Sequence, residues 1–396
     1  MGGMHTRTLA IAACAAVSAL LSPTIAAAQE PALAAPGGPF RVFPAEAPST
    51  ITVNKYGDQV NVPPEASKGA CSQGPIGTVR TPNGETHHVM LTAAHCFLAI
   101  GDGAGDPSAA PTGEVSVPVG ESYQRIGQLT TLSPIPPEIL NSANPLDPLR
   151  AVDWAVVSID EGVPTSAVSD SRAKDGAKLG EPVVLTHIRD YPALAPGAFA
   201  FDNLGQPICK DGATNGRGCG TQVARTHDTI YSVNLGYDSG DSGGVNFDPR
   251  DGAILGVTSV HFGPIYKAQT ADSIVESAYG VPDGQVNDHF TVDASTAPHA
   301  EFTTLNDENF RIGQAVQELN PNPSITDPDT ELRKATDAAQ QEATRLADDA
   351  ARGQINPEEI QRAVEHHSGQ IGYWGGEVAE LRVDGLIGST LDEILF

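Results

Sequence analysis

The chain has 396 residues, 40% of them hydrophobic, which is enough for at least one sizeable core and leaves room for two or three domains. Glycine and proline are plentiful, with 41 and 31 residues, and this favours a turn-rich β protein over a helical bundle. The net charge of −26 repels phosphate backbones and anionic surfaces, so it argues against nucleic-acid binding and against stable association with an anionic membrane.

Residues 1–28 have the pattern of a secretion signal. A weakly basic start precedes an Ala-rich apolar run at 9–21, and small residues follow it. The run is shorter than the ~18 residues usual for a spanning helix, which argues against membrane insertion. We therefore expect cleavage after Ala28 and a secreted, extracellular protein. The alternative is a lipoprotein box ending at Cys14, which would associate the chain with the cell envelope.

The next part of the chain predicts an extended lead-in followed by an all-β domain. Residues 29–65 are rich in Pro, Ala and Gly, whereas 66–284 consist of short apolar runs bounded by turn residues, such as 154–157 and 253–257. The number and spacing of these runs are typical of a barrel or sandwich. Between Phe97 and Asn144 the strand signals are weak, so a large surface insertion is predicted there.

Residues 285–396 predict an acidic helical C-terminal region. One helix should begin at Pro328 and end at Gly353, and a second should begin at Pro357 and end at Gly369. The region has 21 acidic and 7 basic residues, so it carries −14 of the net charge of −26. We expect either a small helical module or a partly disordered tail, which binds an unknown partner or regulates the preceding domain.

Removal of the signal leaves four cysteines: Cys71, Cys96, Cys209 and Cys219. An even number in an exported protein indicates two disulfides, and four cysteines allow three connectivities. Proximity along the chain favours Cys71–Cys96 and Cys209–Cys219, although the sequence alone does not choose. A zinc site is the alternative, but none of these cysteines forms the C-x-x-C pair that is common in such sites.

The turn Gly240-Asp241-Ser242-Gly243-Gly244 has the composition that a nucleophilic serine needs. A serine hydroxyl is a weak nucleophile until a base takes its proton. The oxyanion of a tetrahedral intermediate also needs donors that are fixed in place beforehand. Because Gly240 has no Cβ, its N–H can turn beside that of Ser242 to form one oxyanion hole. Taken alone, the pentapeptide also fits an ordinary turn.

Two further patches provide the other members of a catalytic triad. His95 follows an apolar run and precedes Cys96, which makes it a candidate general base. Asp153 begins the run 153–157, where a carboxylate would set the tautomer of His95 and stabilise its imidazolium form. Each patch alone has an ordinary structural interpretation. The order His, Asp, Ser, however, matches the chymotrypsin arrangement and differs from those of subtilisin and the α/β-hydrolases.

With these patches, residues 66–284 resemble a trypsin-fold serine protease, most closely the streptogrisin-like bacterial branch. The resemblance also rests on Cys71-Ser72, on 208–220 and on 276–281. It implies two Greek-key antiparallel β-barrels, with His95 and Asp153 in the first and Ser242 in the second. It also implies a serine endopeptidase that hydrolyses protein or peptide substrates through an acyl-enzyme. The alternative is a catalytically inactive protease fold that serves as a surface or host-binding protein, and an esterase is a lesser alternative.

The resemblance implies a substrate pocket at Gly236, Ser259 and His261. The position that is Asp in Lys- or Arg-specific relatives is Gly236, so small or apolar primary specificity is expected in place of basic specificity. Asp238 stands where many relatives have a cysteine, so the shape of the pocket differs. Acidic specificity is the alternative, because His261 would receive a carboxylate side chain as in glutamate-preferring relatives.

Three further expectations concern activation, cofactors and assembly. The chain has no Ile-Val-Gly-Gly-type start to provide a new N-terminus for Asp241, so that carboxylate is expected to pair with an internal group. We expect no cofactor and no metal, because the pairs His87-His88 and His366-His367 have no obvious ligand partners at the right spacing and are interpreted as surface residues. The protein is expected to be a monomer.

Overall fold

The computed structural model describes residues 29–98, 113–135, 139, 144, 147–322, 325–354 and 356–395, with 380–395 described by their backbone. The expected signal at 1–28, including Cys14, lies outside the described residues. Within the described part of the chain, no helix is both long enough and apolar enough to cross a membrane.

The strands and helices alternate with turns along the chain. The elements of the first half are β1 (Pro39–Val42), β2 (Thr50–Thr52), β3 (Gln59–Asn61), β4 (Gly69–Ser72), β5 (Ile76–Arg80), β6 (Thr86–Thr92), β7 (Glu114–Val119), β8 (Ser122–Leu132), α1 (Asp147–Arg150), β9 (Ala155–Ile159), β10 (Val168–Ser169) and β11 (Val183–Val184). Those of the second half are β12 (Pro207–Gly212), β13 (Gly216–Arg225), β14 (Thr229–Val233), β15 (Val245–Phe247), β16 (Ile254–Phe262), β17 (Ile265–Thr270), α2 (Ala271–Tyr279), α3 (Val286–His289), β18 (Phe290–Val292), α4 (Leu305–Leu319), α5 (Pro328–Ala351) and α6 (Pro357–Leu395).

The first half is built on an eight-stranded sheet in the order β18-β5-β6-β9-β8-β7-β1-β4. Its core collects alternate residues of these strands, including Met90, Val115, Val117 and Val157. This alternation is what a half-buried strand requires, because successive side chains point to opposite faces. A closed barrel was predicted here, but the hydrogen bonding among the described strands does not close into a ring.

The second half is a closed barrel of six strands in the order β12-β13-β14-β17-β16-β15. It confirms the β-barrel prediction for this half of the chain. One apolar cluster joins the two halves, since Leu91 and Trp154 from the first half pack in it with Val245, Phe247 and Val257 from the second. The seam between the halves is therefore part of the buried core, and it fixes their relative positions.

The predicted surface insertion between Phe97 and Asn144 is only partly correct. Residues 99–112 lie outside the described residues, but β7 and β8 form a hairpin inside the first sheet. Val115 and Val117 are fully buried, and Gly120 makes the turn with φ +60°. The strand signal was weak because polar residues alternate with the buried valines along this hairpin.

The predicted boundaries at 65 and 284 do not coincide with breaks in the packing. β1, in the predicted lead-in, is fully buried and pairs with β4 and β7. β18, beyond the second boundary, pairs with β5 through Phe290 and Val79. Arg41 of β1 forms a buried ion pair with Glu308 of α4, so α4 also belongs to this body of the protein.

The C-terminal region is a helical hairpin, and one of its two predicted ends is wrong. α5 begins as predicted, with the Asp327 side chain accepting hydrogen bonds from two N–H groups of the first turn. Gly353, just beyond its end, has φ +76°. α6 continues far past the predicted end at Gly369. A glycine inside a helix costs only about 1 kcal/mol, and α6 gains packing against α5 and β16 that offsets this cost.

Candidate active site

His95 and Asp153 lie beside each other at the seam between the two halves. His95 is in a single 3-10 turn, Ala94–Phe97, that follows β6. Asp153 lies two residues before β9, the strand that pairs with β6. The Asp153 carboxylate makes two contacts with the same residue: Oδ2 is 2.8 Å from His95 Nδ1, and Oδ1 accepts the His95 backbone N–H at 3.0 Å. With Nδ1–H donated to a carboxylate, Nε2 is left as the proton acceptor.

Asp153 is held from the other side by the second half of the protein. Ser259 Oγ donates to Oδ2 at 2.5 Å, and the Asp153 N–H donates to Gln269 Oε1 at 3.0 Å. Burial raises the pKa of Asp153, but the charge and hydrogen bond of His95, with Lys267 and Ser259, hold that pKa well below its usual range. Asp153 is only 3% exposed, and its lowered pKa makes it a buried, negatively charged partner for the histidine at neutral pH.

The pKa of His95 moves in the opposite direction. Burial lowers this pKa, but the charge of Asp153 and its hydrogen bond to the ring outweigh burial and raise it above the ordinary value of 6.5. The charge of Lys267 opposes the rise. A histidine whose pKa is raised in this way is a stronger base than a free imidazole, which suits proton abstraction from a hydroxyl.

The turn that carries Ser242 is tied to both halves by backbone hydrogen bonds. Ser242 C=O accepts from the Ser72 N–H at 2.8 Å, and Gly243 N–H donates to Thr258 C=O at 2.8 Å. Ser72 follows Cys71, which is disulfide-bonded to Cys96 next to the candidate base. Thr258 precedes the serine that contacts Asp153. The same short links therefore connect the predicted nucleophile with the other two members of the triad.

Gly243 brings this turn against the end of β6. Its φ is +78°, and a Cβ there would lie 2.0 Å from Thr92 Oγ1, so only glycine fits. Thr92 is three residues before His95. Within the described residues Ser242 Oγ makes no hydrogen bond to His95. Hydrogen bonds between a nucleophile and its base often form fully only in the complex with substrate.

Two backbone donors of the turn are free for an oxyanion. Gly240 has φ +93°, and a Cβ at this position would lie 2.4 Å from Thr214 Oγ1. The N–H groups of Asp241 and Gly243 donate to carbonyls. Those of Gly240 and Ser242 donate to no group in the described part of the chain. Fixed donors of this kind stabilise charge as it develops, because they need no reorganisation during the reaction.

Asp241 is fully buried and pairs with Lys210, which is also fully buried, at 2.5 Å. Its carboxylate also accepts the N–H groups of Thr214 and Asn215 at 3.0 Å and that of Asp238 at 3.1 Å. The sequence indicated an internal partner for this carboxylate, and the structure identifies it as Lys210. These bonds fix the backbone on both sides of Gly240.

The predicted pocket residues do not share one role. Ser259 is 4% exposed, and its hydroxyl faces Asp153, so in this structure it supports the triad instead of lining a pocket. Gly236 is exposed, and a Cβ there would meet no atom within 4 Å. The ring of His261 stacks on Tyr266, with centroids 5.5 Å apart, and both ring nitrogens are buried without a partner among the described residues.

Both disulfides in the structure have the pairing that chain proximity favours, Cys71–Cys96 and Cys209–Cys219. The first fixes the turn that carries His95. The second links directly paired residues of β12 and β13, on the strand that also carries Lys210.

Sequence reasoning missed three supporting residues: Lys210, Lys267 and Gln269. Both lysines are fully buried, and each follows apolar residues within its strand. A charged residue inside such a strand is a signal for a buried partner, since an unpaired buried charge is costly. The sequence does not reveal which distant residue the partner is.

No protein-family model matches this chain, and no curated protein matches it. The solved structures similar to it include Thermobifida fusca protease A, with 18% identity over 66% of this chain and 99% of that chain and a TM-score of 0.36. Nocardiopsis protease has 19% identity over 54% of this chain and 91% of that chain, with a TM-score of 0.34. Cellulomonas bogoriensis chymotrypsin has 20% identity over 57% of this chain and 91% of that chain, with a TM-score of 0.33. At these values the similarity carries no argument about activity, which has to rest on the geometry of the site.

Proposed function

We propose that this protein is a secreted, monomeric serine endopeptidase with Ser242 as nucleophile, His95 as general base and Asp153 as the residue that orients it. The observation that carries the proposal is the ionised Asp153 hydrogen-bonded to His95 Nδ1. Beside this pair lies the turn of Ser242, in which the N–H groups of Gly240 and Ser242 have no acceptor among the described residues. Chemically, this combination provides a base, a nucleophile and an oxyanion site, which are the requirements of acyl transfer.

The reaction proceeds in two stages, acylation of Ser242 and hydrolysis of the acyl-enzyme. His95 Nε2 takes the Ser242 proton as Oγ attacks the peptide carbonyl, and the N–H groups of Gly240 and Ser242 receive the oxyanion. His95 then protonates the leaving amine, which gives an acyl-enzyme. Water, deprotonated by the same histidine, hydrolyses the ester and regenerates Ser242. No step uses a cofactor or a metal.

A fluorophosphonate probe tests the nucleophile directly. The folded wild-type protein should be labelled at Ser242, and Ser242→Ala should remain unlabelled. Ser239→Ala is the matched control, because Ser239 is exposed in the same turn and should not affect labelling. A folded wild-type protein that neither reacts with the probe nor cleaves an unfolded protein substrate would favour the inactive, binding alternative.

For primary specificity we propose a preference for small or apolar residues over Lys and Arg, because Gly236 provides no carboxylate. The acidic alternative has one supporting observation: the two ring nitrogens of the half-buried His261 are buried and lack a partner in the described chain. A set of chromogenic peptides that differ only before the scissile bond separates these cases. Preference for Arg would contradict the interpretation of Gly236, and a preference for Glu that His261→Ala abolishes would establish the acidic alternative.

A further inference from the structure

Lys267 is a fully buried lysine of β17 that reaches across the seam. Its Nζ donates to the carbonyl oxygen of Pro148 at 3.2 Å and to that of Ala151. Pro148 lies in α1, and Ala151 begins the short segment that leads from α1 to Asp153. No carboxylate of the described residues lies within ion-pair distance of Nζ, so carbonyl oxygens are the groups that solvate it.

Gln269, two residues further along the strand, acts on the same segment. Its Oε1 accepts the Asp153 N–H at 3.0 Å, and its Nε2 donates to Asp228 C=O at 2.6 Å. Residues two apart on a strand point to the same face. One face of β17, in the second half, therefore holds the segment of the first half that ends at Asp153.

The charge of Lys267 acts on both members of the His–Asp pair. It contributes to the lowered pKa of Asp153, and it opposes the rise in the pKa of His95. The titratable groups on the elements packed around it are Asp153, His95, Asp147 and Arg150 of α1, Asp228, Tyr231 of β14 and His261 of β16.

We infer that Lys267 is a positioning residue for the catalytic pair, which fixes the segment before Asp153 and places a buried positive charge behind its carboxylate. The inference rests on the proposed peptidase function. It explains why a lysine occupies this place, because an apolar side chain of similar length is usually at least as stabilising in a buried position. The lysine instead supplies two donated hydrogen bonds and a charge that moderates the basicity of His95.

The test is the pH profile of kcat/KM for the wild type, Lys267→Met and Lys267→Arg. Methionine keeps the length of the side chain but removes charge and donors. We expect kcat/KM to fall about tenfold, and the acid limb to move to higher pH by about one unit, because the imidazolium loses a repelling charge. Arginine keeps the charge, so the acid limb of Lys267→Arg should lie at the pH of the wild-type limb. Lys178→Met, at an exposed ion pair, is the control for net charge and should leave the profile unchanged.

A second measurement does not depend on activity. The downfield proton of the His95–Asp153 hydrogen bond, titrated by NMR, should give a higher histidine pKa in Lys267→Met than in the wild type. If both the NMR titration and the acid limb of the folded methionine variant coincide with those of the wild type, the inference is wrong and Lys267 only fills space. If the histidine pKa is higher in Lys267→Met but the wild type hydrolyses no substrate, the proposed peptidase function fails, whereas the effect of Lys267 on the His95–Asp153 pair stands.

Discussion

Asp241 shows how much of this site depends on residues outside the triad. Its carboxylate receives Lys210 and three backbone N–H groups, so all of its charge is compensated inside the protein. The same bonds fix Gly240, whose N–H is one of the two donors assigned to the oxyanion. A change at Lys210 should therefore act on both the stability and the activity of the protein.

Replacement of Lys210 by methionine should be severe. It leaves a buried carboxylate without its cation, so we expect the free energy of unfolding to fall by about 3–5 kcal/mol. Because the oxyanion donors then lose their fixed geometry, kcat/KM should fall on the order of 100-fold. Urea unfolding and steady-state kinetics measure the two effects. Lys174→Met is the control, because Lys174 is exposed and pairs with Asp238 in the same loop. Equal behaviour of the two variants would contradict this account of Asp241.

At the scale of single residues, the sequence contains recognisable signals for the proposed triad but few for its surroundings. Ser242 and its glycines are contiguous, and His95 and Asp153 each stand next to a recognisable apolar run. Lys210 lies 31 residues from Asp241, and nothing in the sequence around either residue indicates that the two form a pair. Ser259 was placed in the pocket, because only the folded chain shows which way its hydroxyl points.

Among the secondary-structure elements, α2 carries two acidic residues, the buried Asp272 and the half-buried Glu276. Carboxylate oxygens of Glu276, Asp190 and Asp283 all lie within 4.8 Å of one another. Burial, and then the neighbouring carboxylates, raise the pKa of Glu276 to about 7. Burial also raises the pKa of Asp272 to about 6. A carboxyl group with a raised pKa stays protonated in the folded state at a pH where the unfolded chain has released the proton.

The stabilisation that the protonated Glu276 contributes should therefore decrease as the pH rises from about 4.5 through 7. Glu276→Gln removes one titrating group, so it should stabilise the protein at pH 8 by about 1 kcal/mol and have little effect at pH 4. Thermal melts at both pH values measure the difference. Glu121→Gln, at an exposed position in the turn between β7 and β8, should have no such pH dependence. An equal shift for Glu276→Gln at both pH values would contradict this interpretation.

The elements that the sequence predicted least well are those stabilised by distant partners. The valines of β7 alternate with polar residues, and the strand is stabilised by β1 and β8 on either side. α6 passes through Gly369, Gly372 and Gly375, each of which disfavours a helix locally. In both cases tertiary packing outweighs local propensity, and a single sequence does not report that packing.

In the whole molecule, the C-terminal hairpin is fastened to the N-terminal part and covers part of β16. Glu377 pairs with Lys55 at 2.7 Å and accepts a hydrogen bond from Tyr56. The Tyr56 ring lies 5.6 Å from that of Trp374. α6 packs on β16, the strand that carries Ser259 and His261. For the proposed peptidase, we expect a helix on this strand to restrict the approach of a long substrate.

A chain that ends after Asn322 should fold and should cleave an unfolded protein several-fold faster than the full chain. Its rate on a short chromogenic peptide should change less, because a short substrate does not reach α6. In the full chain, Tyr56→Ala removes a contact of α6, so it should also increase the rate on the unfolded protein more than the rate on the short peptide. Equal rates on the protein substrate would show that the hairpin does not restrict access.

A chain that ends at Gly284 should instead fail to fold, although the sequence suggested this boundary. It lacks β18, which pairs with β5, and it leaves the buried Arg41 without Glu308. Circular dichroism and thermal melting distinguish the two truncated chains. The overall two-part plan followed from the sequence, but the return of the chain from the second half to the first could not be predicted from local patterns.

The internal partner of Asp241 has a consequence for how the protein would be activated after synthesis. For the proposed peptidase, no proteolytic cut is needed to create the charge that Lys210 already provides. There is then no zymogen stage at this carboxylate. The turn that carries Ser242 would take its final form when β12 and its Lys210 fold into place, so folding would replace cleavage as the step that sets this part of the site.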